Sequence, residues 1–278
     1  LMLNFLRKKK IVPVVYLSGI IGNVGGLRNG ITLSSIENLL EKAFKIKHSA
    51  AVAIIINSPG GSPVQSSLIY KRIKKLAKKN KTKVIFFVED VAASGGYYIA
   101  CAGDEIYVDE NSIVGSIGVI YASFGFDKLI KKYGVERRIF TTGKYKSILD
   151  SFQKQKLSDV KKLKSIQMEI FKNFKNVVLK SRGKKINKQN KNIFSGSFWA
   201  GKEAIKLGLV DGIGDLNLVM EKKFGKKIKY IPIKPKKSFL KNVLSKSFYS
   251  KDILDTKKII NDIIAYIENR NIWGRYGS

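Results

Sequence analysis

The sequence AVAIIINSPGG at residues 51–61, followed by VIFFVEDVAASGGYY at residues 84–98, decides the fold of this chain. Each stretch opens with a run of apolar, largely β-branched or aromatic residues, which is typical of a buried strand. Each then enters a glycine-rich turn, and residues 64–79 between them carry apolar residues at helical spacing. Strands that alternate with helices predict parallel β-α-β units covered on both faces. Function on such a sheet is expected in the loops beyond the carboxyl ends of the strands.

Apolar periodicity extends this alternation to both sides. The β-branched content of residues 11–21 predicts a first strand, and residues 89–94 predict a turn after the second buried strand. No internal repeat is visible, so a solenoid is not expected. The other predicted elements are helices at residues 32–45, 95–102, 124–132, 158–182 and 198–209, short strands at residues 105–108, 118–122 and 135–140, and a tight turn at residues 210–214.

The chain is expected to form one large α/β domain with a tail. Residues 1–233 carry the alternating pattern, whereas residues 234–278 begin with a basic linker that contains Pro235. Apolar residues at helical spacing then predict an amphipathic terminal helix. Such a helix can dock on its own domain, on another copy or on a membrane surface.

The charge balance is strongly basic, with 53 Lys and Arg residues, 21 Asp and Glu residues and a formal net charge of +32. Such a chain attracts nucleic acid or anionic membranes. Lysine far outnumbers arginine, however, and the lysines are spread from Lys8 to Lys258. Because recognition of bases and phosphates favours the arginine fork, we expect no specific nucleic-acid partner and keep peripheral membrane contact as an alternative.

The cysteine and histidine content limits the chemistry. The chain has one cysteine, Cys101, and one histidine, His48. A single cysteine excludes an intrachain disulfide, and these two residues alone do not make the usual protein zinc site. We expect no metal and no cofactor.

The amino-terminal residues 7–21 imitate the basic and apolar regions of a signal peptide. Pro13 and Gly19 interrupt the apolar stretch, and no small-residue cleavage site follows it. The stretch is also shorter than the roughly 20 residues that a bilayer-spanning helix needs. The sequence therefore predicts neither a cleaved signal nor a transmembrane anchor, and a cytoplasmic or peripherally membrane-associated protein.

Ser94 is a candidate nucleophile because it starts a predicted helix between small residues, where its hydroxyl is open to attack. The N–H of the next residue, Gly95, can then stabilise an oxyanion. The glycine turn at residues 58–61 also leaves backbone N–H groups free before a helix. Each feature has a simpler interpretation, namely a helix-capping serine and an ordinary strand-to-helix turn.

A nucleophilic serine needs a base. His48 lies just before a predicted strand, at the amino end of the sheet, so a Ser-His-Asp triad is disfavoured. A lysine can serve where its surroundings populate the neutral amine. Lys146 has apolar neighbours in the non-periodic segment 141–155, and Lys144 is its rival; spacing alone does not choose between them.

Four motifs, taken together and in this order, resemble the signal peptide peptidase family, SppA, whose members share a fold with Clp protease and crotonase. The resemblance covers about residues 11–225. The motifs are INSPGG at residues 56–61, DVAASGGYY at residues 90–98, GSIGV at residues 115–119 and GKYKS at residues 143–147.

The resemblance implies a Clp protease/crotonase-like layered β-α-β superhelix and a serine endopeptidase with a Ser/Lys dyad that uses no cofactor. The roles it implies are nucleophile for Ser94, general base for Lys146, oxyanion N–H donors for Gly61 and Gly95, orientation of the lysine for Ser116, and substrate binding for Gly60 and Gly96.

The same resemblance implies hydrophobic peptide substrates, such as released signal peptides. It also implies a homo-oligomeric ring or dome, in which the serine and the lysine of one site can come from neighbouring copies. This chain carries one copy of the catalytic fold instead of the tandem of long members, which makes assembly more necessary. It also lacks the clear membrane anchor that many relatives have.

Two other functions remain open from the residues. A crotonase-type acyl-CoA enzyme shares the fold and the backbone oxyanion hole, but it normally places a carboxylate in its site. A catalytically silent scaffold, or a binder of anionic surfaces, would use the basic charge and the terminal helix. An intact pair of Ser94 and Lys146 argues against both.

Overall fold

The computed structural model describes residues 9–23, 30–187 and 189–235. The chain divides into two compact units. The first comprises the described parts of Leu1–Ile117 and Val177–Ser278, and the second comprises Gly118–Asn176. The tail predicted at residues 234–278 lies outside the described residues from residue 236 onwards, so its separation from a 1–233 domain stays a prediction.

The described residues form eight strands and seven α-helices, joined by turns and loops. The strands are β1 Lys10–Ser18, β2 Val52–Ser58, β3 Val84–Ala93, β4 Glu105–Val108, β5 Ile113–Gly115, β6 Phe198–Ala200, β7 Gly212–Ile213 and β8 Ile228–Pro232. The helices are α1 Leu33–Lys45, α2 Pro63–Asn80, α3 Gly95–Ala100, α4 Asp127–Lys132, α5 Leu157–Arg182, α6 Gly201–Lys206 and α7 Leu216–Phe224, with a 3-10 turn at Lys191–Phe194.

All eight strands belong to one sheet in the first unit. Its main order is β6-β5-β3-β2-β1-β8, and β4 pairs with both β3 and β7. Every pair is parallel except β5 with β6. The predicted fold class, an α/β layered structure on a parallel sheet, is confirmed.

The central strands are buried because the sheet is covered by helices. Every residue of β2 except the partly buried Asn57 is buried, as expected for a parallel strand with both faces covered. Helix α1 buries one stripe, Ile36, Leu40, Ala43 and Phe44. Helix α2 begins with Pro63 after the capping residue Ser62, whose hydroxyl accepts from the N–H of Gln65; both features favour a helix start directly after the glycine turn.

Several local predictions were wrong. Strand β3 continues to Ala93 through the residues predicted as a turn, 89–94. Residues 118–122 and 135–140 are not strands in the described structure, and the short strand of this region lies at Ile113–Gly115 instead. Residues 198–209, predicted as one helix, begin with β6, because these residues pair with β5 across the sheet. Helix α7 and strand β8 were not predicted.

The helices also bear on membrane insertion. Within the described ranges of the chain, no helix combines the length and the apolar character that crossing a membrane requires.

Candidate active site

Ser94 lies at the junction between β3 and α3 with φ 50° and ψ −119°. A residue with a side chain rarely adopts this backbone, which costs about 1–3 kcal/mol and persists only where the surroundings impose it. Its N–H donates to the carbonyl oxygen of Gly115 at 2.9 Å, and its own carbonyl accepts from the N–H of Tyr98 at 2.9 Å. A strained strand-to-helix turn of this kind projects a serine out of the sheet.

The hydroxyl of Ser94 does not cap helix α3. Ser94 occupies the capping position, but its side chain accepts no hydrogen bond from the helix. The side chain is partly exposed, whereas Gly95 and Gly96 behind it are buried. The structure therefore argues against the simple capping interpretation and leaves the hydroxyl available.

The glycine turn that ends β2 packs directly against Ser94. A Cβ atom added at Gly60, which has φ 108°, would lie 2.8 Å from the Cβ of Ser94 and 2.9 Å from the nitrogen of Gly95. No side chain fits there, so the turn needs glycine both for its backbone and for this close approach. The two glycine-rich turns of the sequence thus meet in space.

Two backbone N–H groups lie beside the Ser94 turn. Gly61 forms a parallel bridge with Ile21. In this bridge the N–H of Ile21 donates to the carbonyl oxygen of Gly60, and the N–H of Ser62 donates to the carbonyl oxygen of Ile21. The N–H of Gly61 itself faces away from this bridge. A Cβ added at Gly95 would lie 3.4 Å from the Gly61 nitrogen.

These two N–H groups are suited to an oxyanion. Within the described part of the chain, neither the N–H of Gly61 nor that of Gly95 has a protein acceptor. Free, fixed N–H donors next to a serine hydroxyl can stabilise the charge that develops on a carbonyl oxygen under attack.

Gly96 joins the start of α3 to the end of β2. A Cβ added at Gly96 would lie 2.6 Å from the carbonyl oxygen of Ser58. Gly60 and Gly96 therefore permit close packing between the two turns. Their roles in substrate binding stay predictions.

Ser116 follows β5 with φ 51°. Its N–H donates to the carbonyl oxygen of Ser197 at 2.7 Å. The preceding residue, Gly115, has φ 110°, and a Cβ there would lie 2.8 Å from the ring of Trp199. Ser116 thus stands next to the carbonyl that holds Ser94. Sequence reasoning did not identify Trp199, since only the pairing of β6 with β5 brings it here.

Lys146 belongs to the second unit, in the segment between α4 and α5. Its backbone N–H donates to the carbonyl oxygen of Gly143 at 3.2 Å. The side chain is exposed in the single chain, whereas its apolar sequence neighbours suggest surroundings that would remove water from the amine. Lys144 places its Nζ 5.4 Å from the centroid of the Tyr145 ring, a cation–π contact that engages its amine.

His48 is exposed and lies at the other end of the sheet from Ser94. The next residue, Ser49, bridges to Ile11 near the amino ends of β1 and β2. Ser58 and Ser94 lie at the carboxyl ends of β2 and β3. His48 and Ser94 therefore lie at opposite ends of the strands, which argues against a Ser-His pair.

A buried polar network supports helix α3 from behind. The hydroxyl of Tyr97 donates to the carbonyl oxygen of Leu209 at 2.7 Å, and burial raises the pKa of Tyr97 well above its usual value. The nearby Cys101 is also buried, which raises its thiol pKa to about 12. A thiol with that pKa is inert at neutral pH, so Cys101 is a packing residue.

The same network contains a buried ion pair. Arg182 is 1% exposed; its Nη1 lies 2.6 Å from the carboxylate of Asp211, and its Nε donates to the carbonyl oxygen of Gly208. Burial acts to raise the pKa of Asp211, but hydrogen bonds from Arg182 and Lys185 outweigh it and hold the pKa below its usual value. The pair fixes the loop that receives Tyr97.

Comparison with known proteins identifies relatives of this chain. Residues 76–227 match the model of peptidase family S49. The chain is 48% identical over 271 residues to a protein of Brucella abortus named Na(+)/H(+) antiporter NhaA, an alignment that covers 96% of this chain and 37% of that protein. It is 34% identical over 185 residues to the chloroplastic serine protease SPPA of Arabidopsis thaliana, covering 65% of this chain and 27% of that protein.

A solved structure shares the fold. It is a serine-to-alanine mutant of the 1510-N membrane-bound stomatin-specific protease, with a TM-score of 0.53 and 18% identity, covering 82% of this chain and 99% of that chain. At this identity the likeness concerns the fold alone. The chain spans little more than a third of the Brucella relative and about a quarter of the Arabidopsis relative.

Proposed function

This chain belongs to peptidase family S49, and from that membership we propose that it is a serine endopeptidase with Ser94 as nucleophile and Lys146 as general base. The observation that carries the proposal is the turn at Ser94, whose hydroxyl caps no helix and stands beside two unused N–H donors. This arrangement performs acyl transfer. An acyl-CoA enzyme would use the N–H donors without needing the serine.

In the first half of the reaction, the neutral amine of Lys146 takes the proton of the Ser94 hydroxyl as its oxygen attacks a peptide carbonyl carbon. The carbonyl oxygen becomes an oxyanion, which the N–H groups of Gly61 and Gly95 bind. The tetrahedral intermediate then collapses, and the C–N bond breaks. The leaving amine takes the proton from Lys146, which leaves the acyl group on Ser94.

In the second half, water replaces the amine. Lys146 takes a proton from the water, whose oxygen attacks the ester carbonyl, and the same two N–H groups bind the second oxyanion. Ser94 leaves with the proton from Lys146, and the carboxylic acid product is released. In this scheme Ser116 orients the amine of Lys146, a role that the family resemblance supports.

We assign hydrophobic peptides, including released signal peptides, as the substrate class. Backbone donors recognise the main chain of a peptide and do not select its side chains, so selectivity must come from apolar surface near Ser94. Val64 and Leu68 on α2, close to the Gly60–Gly61 turn in sequence, are 65% and 39% exposed. These side chains offer such surface.

Assembly into a homo-oligomer is part of the proposal. The second unit exposes many large apolar side chains, and extensive exposed apolar surface favours interaction with a partner. The most exposed are Ile120 at 67%, Phe124 at 77%, Tyr133 at 71%, Phe140 at 93% and Leu157 at 81%. Because Lys146 lies in this unit, assembly through it can bring the lysine of one copy to the serine of a neighbouring copy. The basic surface additionally favours peripheral contact with anionic membranes.

Hydrolysis of a fluorogenic apolar peptide by the full chain tests the proposal. Ser94→Ala and Lys146→Ala should abolish activity, whereas Lys144→Ala, a matched lysine two residues away, should retain it. Activity that survives either of the first two substitutions would contradict the assignment.

A further inference from the structure

Strand β3 contains a two-residue bulge a few residues before Ser94. Between the pairs Ile56–Val88 and Ser58–Ala92, β2 advances by two residues and β3 by four. One residue of β2, Asn57, therefore lies opposite three residues of β3. Two of those three, Glu89 and Asp90, are exposed within an otherwise buried strand.

The bulge determines where Ser94 lies along the sheet. Each strand residue advances about 3.3 Å, so an unbulged β3 would carry Ser94 about 7 Å farther past the end of β2. Residue 92 would then take the place beside Gly60. In the structure, Ser94 is the residue that meets Gly60, with 2.8 Å between its Cβ and a Cβ added at Gly60.

The side chain of Asn57 closes the bulge from the β2 side. Its Nδ2 donates to the carboxylate of Asp90 at 2.5 Å, and its Oδ1 accepts from the N–H of Val91 at 3.3 Å. The backbone of Asn57 is itself fixed, since its carbonyl oxygen accepts from the N–H of Gly19 at 2.9 Å. Both polar atoms of the Asn57 amide therefore form hydrogen bonds with residues of the bulge.

A serine closes the bulge from the other side. Ser112, which is 1% exposed, donates from its hydroxyl to the carbonyl oxygen of Glu89 at 2.5 Å and accepts from the N–H of Asp109 at 2.9 Å. At the bulge, β3 also exchanges its partner, from β4 before Glu89 to β5 after Asp90. The new pairing with β5 ends in the Gly115 carbonyl that holds the N–H of Ser94.

We propose that Asn57 is a positioning residue of the peptidase reaction: by clamping the β3 bulge through Asp90 and Val91, it sets Ser94 level with the oxyanion donors of the Gly60–Gly61 turn. Bulges next to active sites commonly redirect a side chain in this way. This inference rests on the proposed function. Asn57 acts through the backbone and touches no reacting atom, so its loss should lower kcat and leave KM nearly unchanged.

Two variants, Asn57→Asp alone and Asn57→Asp combined with Asp90→Asn, test whether Asn57 holds the bulge in place. Asn57→Asp places a second carboxylate beside that of Asp90 and removes the Nδ2 group that donates to Asp90. A displacement of about 1 Å can cost about a hundredfold in rate, so kcat should fall by about 10- to 100-fold. Adding Asp90→Asn supplies an amide donor from the other side, while the new carboxylate at position 57 still accepts from the N–H of Val91. The double variant should recover kcat to within about threefold of the parent, because residues in contact are coupled and the second substitution restores the hydrogen bond between them.

The controls separate the possible failures. Asn192→Asp, at an exposed position of the 3-10 turn, reports the effect of the charge alone. Amide hydrogen exchange of residues 91–95 should accelerate in Asn57→Asp and return in the double variant, whether or not a peptide is cleaved. If the parent cleaves no peptide, the proposed function fails. If the parent cleaves and Asn57→Asp keeps the parental kcat, or a folded double variant shows no recovery, the positioning role is wrong.

Discussion

The backbone N–H of Ser94 donates a 2.9 Å hydrogen bond to the carbonyl oxygen of Gly115. This bond continues the pairing of β3 with β5 by one residue and holds Ser94 at a positive φ. The position of Ser94, the proposed nucleophile, therefore depends on the position of β5. β5 depends in turn on β6, whose Trp199 ring covers Gly115.

Gly115→Ala should damage both stability and activity. Its φ of 110° alone costs about 1–3 kcal/mol for a residue with a side chain, and the new Cβ would also meet the Trp199 ring at 2.8 Å. Thermal unfolding and peptide hydrolysis measure the two effects. Gly196→Ala is the matched control, because Gly196 has φ 86° but its Cβ would meet nothing within 4 Å. Equal losses in the two variants would contradict the role of the Trp199 contact.

Gly60→Ala should lower kcat by about a hundredfold, since the added methyl group would displace Ser94 or the nitrogen of Gly95 by up to an ångström. Steady-state kinetics on a fluorogenic apolar peptide measures it. Gly134→Ala serves as a control, because Gly134 has φ 67° and open space around it. A Gly60→Ala enzyme with parental kcat would show that the close approach of the two turns is not needed for catalysis.

The Asp211 carboxylate should make folding stability depend on acid pH. Its pKa is lowered in the folded chain. Its contribution is therefore complete above the unfolded value, about 3.9, and is lost as the pH falls through the lower folded pKa. Asp211→Asn leaves Arg182 buried without its charge partner, which should cost about 3–5 kcal/mol at pH 7.

Denaturant unfolding between about pH 2 and pH 7 measures this contribution. The parent should lose stability towards acid more steeply than Asp211→Asn. Parallel pH profiles for the two proteins would show that protonation of Asp211 does not contribute to the loss of stability in acid. Glu203→Gln, which removes the exposed ion pair with Lys206, should change stability by less than about 1 kcal/mol.

Phe140→Asp should weaken self-association without unfolding the chain, because Phe140 is 93% exposed and a charge there opposes apolar docking. Sedimentation velocity and peptide hydrolysis across a range of protein concentrations measure assembly and its link to activity. Leu218→Asp, at a position in the first unit that is 62% exposed, is the comparison. If both variants assemble like the parent, the apolar surface of the second unit is not the interface.

Local patterns predicted much of the fold and part of the site. The apolar run of β2, the helical spacing of α1 and α2 and the glycine motifs depend on neighbouring residues, and each appears in the structure near its predicted place. The sequence also predicted that Ser94 would lie between a strand and a helix, although it placed a turn at residues 89–94 where β3 continues. These features need no knowledge of distant contacts.

Long-range pairing decided the rest. Glu89 and Asp90 are polar and exposed, which resembles a turn, but they form a bulge because Asn57 and Ser112 bond to this part of β3 from neighbouring elements. Residues of β6 continue the helical spacing of residues 201–209, yet they pair with β5. Such choices depend on partners far along the chain, and single-sequence periodicity does not record them.

Covalent labelling of Ser94 tests the central claim most directly. A phosphonofluoridate probe transfers its phosphonyl group to a nucleophilic serine hydroxyl with loss of fluoride, and its phosphoryl oxygen takes the place of the oxyanion. Peptide mapping of the treated full chain should find the modification on Ser94, together with a proportional loss of peptide hydrolysis. Modification of another residue while Ser94 stays unmodified and hydrolysis is lost would contradict the assignment of Ser94 as the nucleophile.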